Sequence, residues 1–296
     1  MTRCGLVAVI GAPNAGKSTL VNQLVGQKVA ITSAKAQTTR ARMLGIALHG
    51  ETQMILVDTP GIFAPRRRLD RAMVGAAWEG AEAADALLLL VDPIKQRRHE
   101  LDPLLERLAG RPERKVLVLN KVDAAKKEPL LALAQELGGK VDFAEIFFVS
   151  ALTGDGVPEM KDALAATMPK AEWMYPADQV SDASQRLLAA EITREQLYRQ
   201  LHEELPYDSA VRPERYEERK DGSVEIHQQI LVTRETQRAI VLGKGGRMIK
   251  AIGEAARQEL AELLGRKVHL FLHVKVAENW AEDREVFEEM GLDWGR

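Results

Sequence analysis

Short aliphatic runs punctuate the first half of the chain at 6–10, 44–48, 54–57, 87–91, 116–119 and 146–149. Most are apolar at successive positions, the mark of strands buried on both faces. Between them the spacing lengthens to a helical period, as at 18–24, where Leu20 and Leu24 lie one turn apart. Strands alternating with helices predict a mostly parallel sheet with helices on both faces. The pattern breaks near Met168. There Met168-Pro169-Lys170 and Tyr175-Pro176-Ala177-Asp178 carry two prolines and no periodicity, and 169–182 reads as a linker.

The second half has a different order. A helix is predicted over 184–204, a hairpin at Asp221-Gly222 with its second strand at 224–232, and a helix–turn–helix over 236–264 broken at 243–246. Residues 268–276 then alternate, with Val268, Leu270, Leu272, Val274 and Val276 on one face and His269, Phe271, His273 and Lys275 on the other. An acidic tail with Trp280 and Trp294 follows, expected to be a helix docked through Trp280 on the strand before it, with a disordered end as the alternative. The expected domains are 1–168, α/β, and 183–296, α+β, with no repeats or low-complexity tract.

Composition narrows the classes. The 296 residues are 46% hydrophobic with a formal net charge of -2, so each domain can bury a core and any nucleic-acid surface must be a local patch. The single cysteine, Cys4, excludes an internal disulfide framework, which fits a reducing compartment. The run after Arg3 is too short for a secretory signal, and the longest aliphatic run stops at Asp92, far from the roughly 20 residues that span a bilayer. A cytoplasmic protein is expected, with peripheral membrane association left open.

Gly11-Ala12-Pro13-Asn14-Ala15-Gly16-Lys17-Ser18 matches the Walker A pattern, followed by Thr19. Its glycines let backbone N–H groups turn onto phosphates. Lys17 supplies charge between the β- and γ-phosphates, Ser18 a hydroxyl for Mg²⁺, and the helix that starts here a positive dipole end. A chance match at these fixed positions arises in roughly 1% of chains this long. A predicted strand before it and helix after it make chance rarer still. Asp58-Thr59-Pro60-Gly61 follows the run 54–57; Asp58 can hold Mg²⁺ through water, and the Gly61 N–H can reach the γ-phosphate.

Asn120-Lys121-Val122-Asp123 follows the run 116–119. Guanine offers two adjacent donors, N1–H and the N2 amine, and one carboxylate, that of Asp123, accepts both. Adenine has no such pair on that edge. Asn120 can brace the loop and contact N7, and Lys121 can lie across the base. In Ser150-Ala151-Leu152 the Ala151 N–H is placed for guanine O6. Alone each of these is a polar loop; order and spacing give them meaning.

Taken in order, GAPNAGKS, QTTR, DTPG, NKVD and SAL resemble a translation-factor-class GTPase. With Ile31-Thr32-Ser33-Ala34-Lys35-Ala36-Gln37-Thr38-Thr39-Arg40-Ala41-Arg42 and the second half, nearly the whole chain resembles the Era family of KH-domain GTPases. The resemblance implies a P-loop G domain binding GTP or GDP with Mg²⁺. It makes Gln37, Thr38, Thr39 and Arg40 switch I, with Thr39 favoured over Thr38 as the Mg²⁺ ligand, and residues from Asp58 to about Asp70 switch II. Ile62 follows the Asp-x-x-Gly, where small signalling GTPases carry a water-orienting glutamine, and an apolar residue there is shared by the resembled family. Slow hydrolysis is expected, with Lys17, Thr39 and Gly61 as the catalytic groups; Asn14 resembles that of relatives activated by K⁺.

Ile240-Val241-Leu242-Gly243-Lys244-Gly245-Gly246-Arg247-Met248-Ile249-Lys250 carries a Gly-x-x-Gly in which two helices meet at a turn that can approach a phosphate closely. Lys244, Arg247 and Lys250 add charge. Ile240, Met248, Ile249 and Ile252 can floor a groove for unstacked bases. Such a turn is often only a helix junction, but the element order fits a type-2 KH domain. The family resemblance implies a partner in small-subunit rRNA near its 3′ end, a role in assembling the 30S subunit, and a monomer. His227, His269 and His273 lack the spacing of a metal site and read as surface or RNA-facing residues. Arg66, Arg67 and Arg68 read as a solvated switch face. A nucleotide kinase is opposed by Asp123 and the switch residues, and a merely structural nucleotide site by Lys17, Ser18 and Asp58.

Overall fold

In the computed structural model the chain divides into two compact units, Met1–Asp182 and Ala183–Gly295. The structure describes residues 1–33, 35, 39–40, 43–62, 65, 67–95, 98–290, 292 and 294. Ala34, Ala36, Gln37, Thr38, Ala41 and Arg42 of the predicted switch segment, and Arg66 of the basic run, lie outside the described residues.

The first unit is built on β1 (Arg3–Gly11), β2 (Met43–His49), β3 (Thr52–Asp58), β4 (Ala86–Val91), β5 (Arg114–Leu119) and β6 (Glu145–Phe148), in the order β2-β3-β1-β4-β5-β6. All pairs are parallel except β2 with β3, a hairpin turned at Gly50, whose φ is 57°. Alternate residues of one strand feed opposite cores. Ala8, Ile10, Leu87, Leu89, Leu117 and Leu119 meet α2 (Arg68–Glu82), α3 (Arg98–Ala109) and α4 (Lys127–Lys140). Val7, Val9, Leu88, Leu90, Val116 and Val118 meet α1 (Lys17–Val25) and α5 (Val157–Thr167). Burial on both faces is why these runs are continuously apolar.

Residues 169–182, expected to be a linker, are a correction: they belong to the first unit. Cys4 N donates to Pro169 O at 3.0 Å, and Trp173 and Tyr175 pack against the core. Hydrogen bonds to the sheet and partial burial of Trp173 and Tyr175, rather than any periodicity, hold the segment down.

The second unit runs α6 (Gln185–Gln200), β7 (Ala210–Glu218), β8 (Val224–Val232), α7 (Glu235–Leu242), α8 (Arg247–Leu264), β9 (Val268–Val276) and α9 (Arg284–Glu289). Ser184 caps α6, its Oγ accepting from Leu187 N at 3.2 Å. The sheet order is β7-β8-β9, with β8 antiparallel to β7 and parallel to β9. Ile230, Val232 and Val274 form its core with Ala190, Leu197, Val241 and Ile252 of the helices. The tail docks through buried Trp280, whose Nε1 donates to Asp208 O at 3.0 Å, in the loop before β7.

Candidate nucleotide and RNA sites

In the first unit β1 is paired with β3 on one side and β4 on the other, so the chain order reverses at its carboxyl end. Open α/β sheets bind ligands in the crevice at such a point. Four of the predicted nucleotide motifs lie at that edge: Gly11 ends β1, Asp58 ends β3, and Asn120 and Ser150 follow β5 and β6.

The P-loop conformation explains its composition. Gly11 and Gly16 have φ of 152° and 101°, and Asn14, a residue type that tolerates the left-handed region, has 63°. A Cβ on Gly16 would lie 2.3 Å from Asn120 Nδ2, and one on Gly11 2.4 Å from Leu90 O. The glycines therefore also let the phosphate loop press against β4 and the base loop. Pro13, Asn14, Gly16, Lys17, Ser18, Thr19, Thr39 and Gly61 line one cleft. Ile31, Thr32 and Ser33 line it too; the sequence marked them as part of the family-like segment but not as site residues.

Lys17 is buried, and its Nζ donates to Gly11 O at 3.2 Å and Ala12 O at 2.9 Å. Burial lowers its pKa to about 8, against the opposing pull of the Asp58 carboxylate. At neutral pH the amine remains mostly charged. Ser18 Oγ donates to Asp58 Oδ2 at 2.7 Å, Thr39 Oγ1 donates to the same oxygen at 3.2 Å, and the two hydroxyls are 2.9 Å apart. Neighbouring ligands of an octahedral Mg²⁺, each about 2.1 Å from the ion, lie about 3 Å apart. The spacing of Ser18 and Thr39 fits a Mg²⁺ site with Asp58 behind it.

Asp58-Thr59-Pro60-Gly61 is fastened to the P-loop. Thr59 Oγ1 donates to Val9 O at 2.8 Å, Ile62 N donates to Gly11 O at 3.0 Å, and a Cβ on Gly61 would lie 2.8 Å from Pro13 N. The Ile62 side chain packs against the hydrophobic core. It can neither donate nor accept a hydrogen bond, so the attacking water must be oriented by other groups.

Asn120 is buried, its Nδ2 donating to Ala15 O at 2.8 Å and its Oδ1 accepting from Ala151 N at 2.9 Å. One side chain thus ties P-loop, base loop and the 150–152 loop together. The Ala151 N–H, expected to face guanine O6, donates to Asn120 Oδ1, which satisfies a buried amide. Leu152, next along, is exposed. Lys121 has a φ of 62°, and its Nζ donates to Asn14 O at 2.9 Å and Asp92 Oδ2 at 2.6 Å. The other Asp92 oxygen accepts from Ile94 N and Lys95 N, and Lys121 and these amides hold the carboxyl below its ordinary range despite burial. Sequence reading missed Asp92. Its only signal is a carboxylate ending a buried strand beside β1. Pinned at its tip, the Lys121 stem can wall the base pocket. The Asp123 carboxylate is exposed.

In the second unit α7 and α8 meet at Gly243-Lys244-Gly245-Gly246, where all three glycines have left-handed φ of 63–74°. A Cβ on Gly243 would lie 2.7 Å from Met248 Cβ, whereas Gly245 and Gly246 face open space. Lys244, Arg247 and Lys250 are exposed. Beside the turn, Ile249, Lys250, Gly253 and Arg257 of α8 face Leu270 and Leu272 of β9 across a groove, with Glu254 on its lip. Ile252 is a correction: it is fully buried in the core rather than on the groove floor. Ile240 is exposed, and Met248 packs partly on the core. Leu270 and Leu272 belong to the apolar face legible in the sequence, but only the fold brings them opposite α8. His227 stacks on Phe271, centroids 4.7 Å apart, and pairs with Glu225 at 2.7 Å. Arg67 precedes α2, its N–H donating to Asp70 Oδ2 at 3.0 Å.

A family described as 50S ribosome-binding GTPase matches residues 6–121, and a KH domain family matches 204–281. The GTPase Era of Erythrobacter litoralis is 80% identical over 300 residues, covering 100% of this chain and 99% of that protein. That of Rhizobium meliloti is 57% identical, covering 99% and 94%. Two solved structures each superpose with a TM-score of 0.92 at 36% identity, covering 98% of this chain and 99% of theirs. They are a variant of Aquifex aeolicus Era bound to GDP·AlF4⁻, and Era in complex with MgGDPNP and nucleotides 1506–1542 of 16S ribosomal RNA. With a P-loop site whose spacing suits Mg²⁺, a Gly-x-x-Gly groove, and relatives matching end to end, the chain belongs to the Era family of GTPases.

Proposed function

We propose that the chain is a GTP-driven switch that binds small-subunit rRNA near its 3′ end through the Gly-x-x-Gly groove and assists 30S assembly. One observation carries this reading: an Era that matches 98% of the chain was solved with a GTP analogue and a 16S rRNA fragment together. Lys244 and Gly245 approach the RNA backbone, Arg247, Lys250 and Arg257 supply charge, and unstacked bases lie over Ile249, Gly253, Leu270 and Leu272. Lys244→Asp is the clean test, since Gly243 has no room for a side chain and its replacement would disturb the fold. Losing one charge-assisted phosphate contact should weaken 3′-end RNA binding about 10- to 100-fold and leave GTP affinity alone. Unchanged RNA affinity would remove the groove from the account.

In the nucleotide site Lys17 and the loop amides neutralise charge developing on the γ-phosphoryl oxygens, Thr39 and Gly61 sense that group, and Asp123 reads guanine. Ser18 and Thr39, backed by Asp58, would hold Mg²⁺, which supplies further neutralisation at the phosphates when bound. Asn14, exposed on the rim of the cleft, would hold K⁺, whose charge would stand in where a glutamine is lacking. Hydrolysis should then run faster in KCl than in NaCl, and equal rates would dismiss it. The same reading places the chain in the cytoplasm as a monomer, where rRNA is assembled, with contact to the inner membrane only peripheral. Among the described residues no helix is long and apolar enough to cross a membrane. Sedimentation checks the monomer and vesicle flotation the peripheral contact.

A further inference from the structure

Residues 173–181 carry the chain to the second unit, and they are strapped to the two strands that flank the Mg²⁺-binding hydroxyls. Gln53 of β3 is fully buried, and its side chain bonds mainly to this segment: Oε1 accepts from Met174 N at 2.9 Å and Tyr175 N at 3.0 Å, and Nε2 donates to Tyr175 O at 2.8 Å. Trp173 Nε1 donates to Glu51 O at 3.0 Å. Farther along, Ile46 N of β2 donates to Val180 O at 2.8 Å, and Ser181 Oγ donates to Leu44 O at 2.8 Å. Gly45 and Ser181 form an antiparallel bridge on the outer edge of β2. Ser181 is one residue from the boundary at Asp182.

Register joins this strap to the nucleotide site. In the β2–β3 pair Met43 stands opposite Asp58, and Leu44, which holds Ser181, stands opposite Val57. β2 begins shortly after Thr39 and Arg40. Any rearrangement of Thr39 that shifts the start of β2 is therefore passed to Val180 and Ser181, next to the boundary of the second unit. A buried glutamine that makes three bonds to one segment, besides a weak one from Cys4 Sγ at 3.7 Å, is costly to leave half-satisfied, so the segment is held in register rather than allowed to slide.

We infer that Gln53 and Ser181 are positioning residues that transmit the state of the γ-phosphate site to the RNA-binding unit through the 173–181 strap. They touch neither nucleotide nor RNA. The inference rests on the GTP-switched RNA binding proposed above. The experiment measures affinity of the full chain for a 16S 3′-end RNA in the presence of GDPNP or GDP, for the native chain, Ser181→Ala, Ser181→Thr and Gln53→Leu, with GTP hydrolysis measured alongside. Coupled sites differ typically about 5- to 150-fold between states. In Ser181→Ala and Gln53→Leu that ratio should fall to within about two-fold while hydrolysis and nucleotide affinity stay native, and Ser181→Thr should keep the ratio. Ratios unchanged in Ser181→Ala overturn the inference even where Gln53→Leu fails to fold. A native chain that binds no RNA, or binds it equally in both states, defeats the underlying reading; a native ratio that survives in Ser181→Ala defeats the strap alone.

Discussion

Lys17→Ala is expected to lower GTP hydrolysis by about 10³-fold or more, with a smaller loss of nucleotide affinity. Removing a single preorganised neutral donor to a developing oxyanion typically costs about 10²–10³ in rate. Lys17 contributes a full charge from a buried position, between the Gly11 and Ala12 carbonyls, where solvent screening is weak. Those two carbonyls also keep the ammonium aimed at the cleft before nucleotide arrives. Lys17→Arg is a useful companion, since it keeps the charge but not the compact fit. Single-turnover hydrolysis at saturating GTP separates the chemical step from binding. A rate within about ten-fold of native would show that the loop amides and metal suffice without it.

Asp123→Asn should move the preference of the site from GTP to XTP. The carboxylate accepts from guanine N1–H and N2 together, and two charge-assisted bonds at roughly 1.5–3 kcal/mol each predict a GTP loss of about 10²–10⁴-fold. An amide at the same place donates to the C2 carbonyl of xanthine, so XTP affinity should rise as GTP affinity falls. Because Asp123 is exposed and the loop is braced by Asn120 and Lys121, the fold should not suffer. Undiminished GTP selectivity would refute the guanine assignment.

The parallel sheet and the order of nucleotide motifs were legible because burial on both faces writes continuous apolar runs, and each motif follows one of them. The chemistry at strand ends was legible wherever the chemistry needs several residues in a fixed spacing, as at 11–18 or 120–123. Asp92 was invisible because it acts alone, steering Lys121 from a different strand. The bond from Ala151 N to Asn120, 31 positions away, was not legible, since the partner of a backbone amide depends on which side chain arrives. The segment 169–182 reads as a tether because prolines and the lack of a period hide what fixes it: partly buried aromatics, a glutamine on another strand and bonds to the β2 edge. Ile252 and Ile249 are both apolar and near the turn; only the packing of α8 on the sheet turns one into the core and the other into the groove.

The central claim is that the nucleotide site and the RNA groove form one switch. Titrating a labelled 16S 3′-end RNA with the full chain loaded with GDPNP, GDP or no nucleotide tests it most directly. The account predicts binding about five-fold or more tighter with GDPNP than with GDP. Equal affinities in all three states would contradict it.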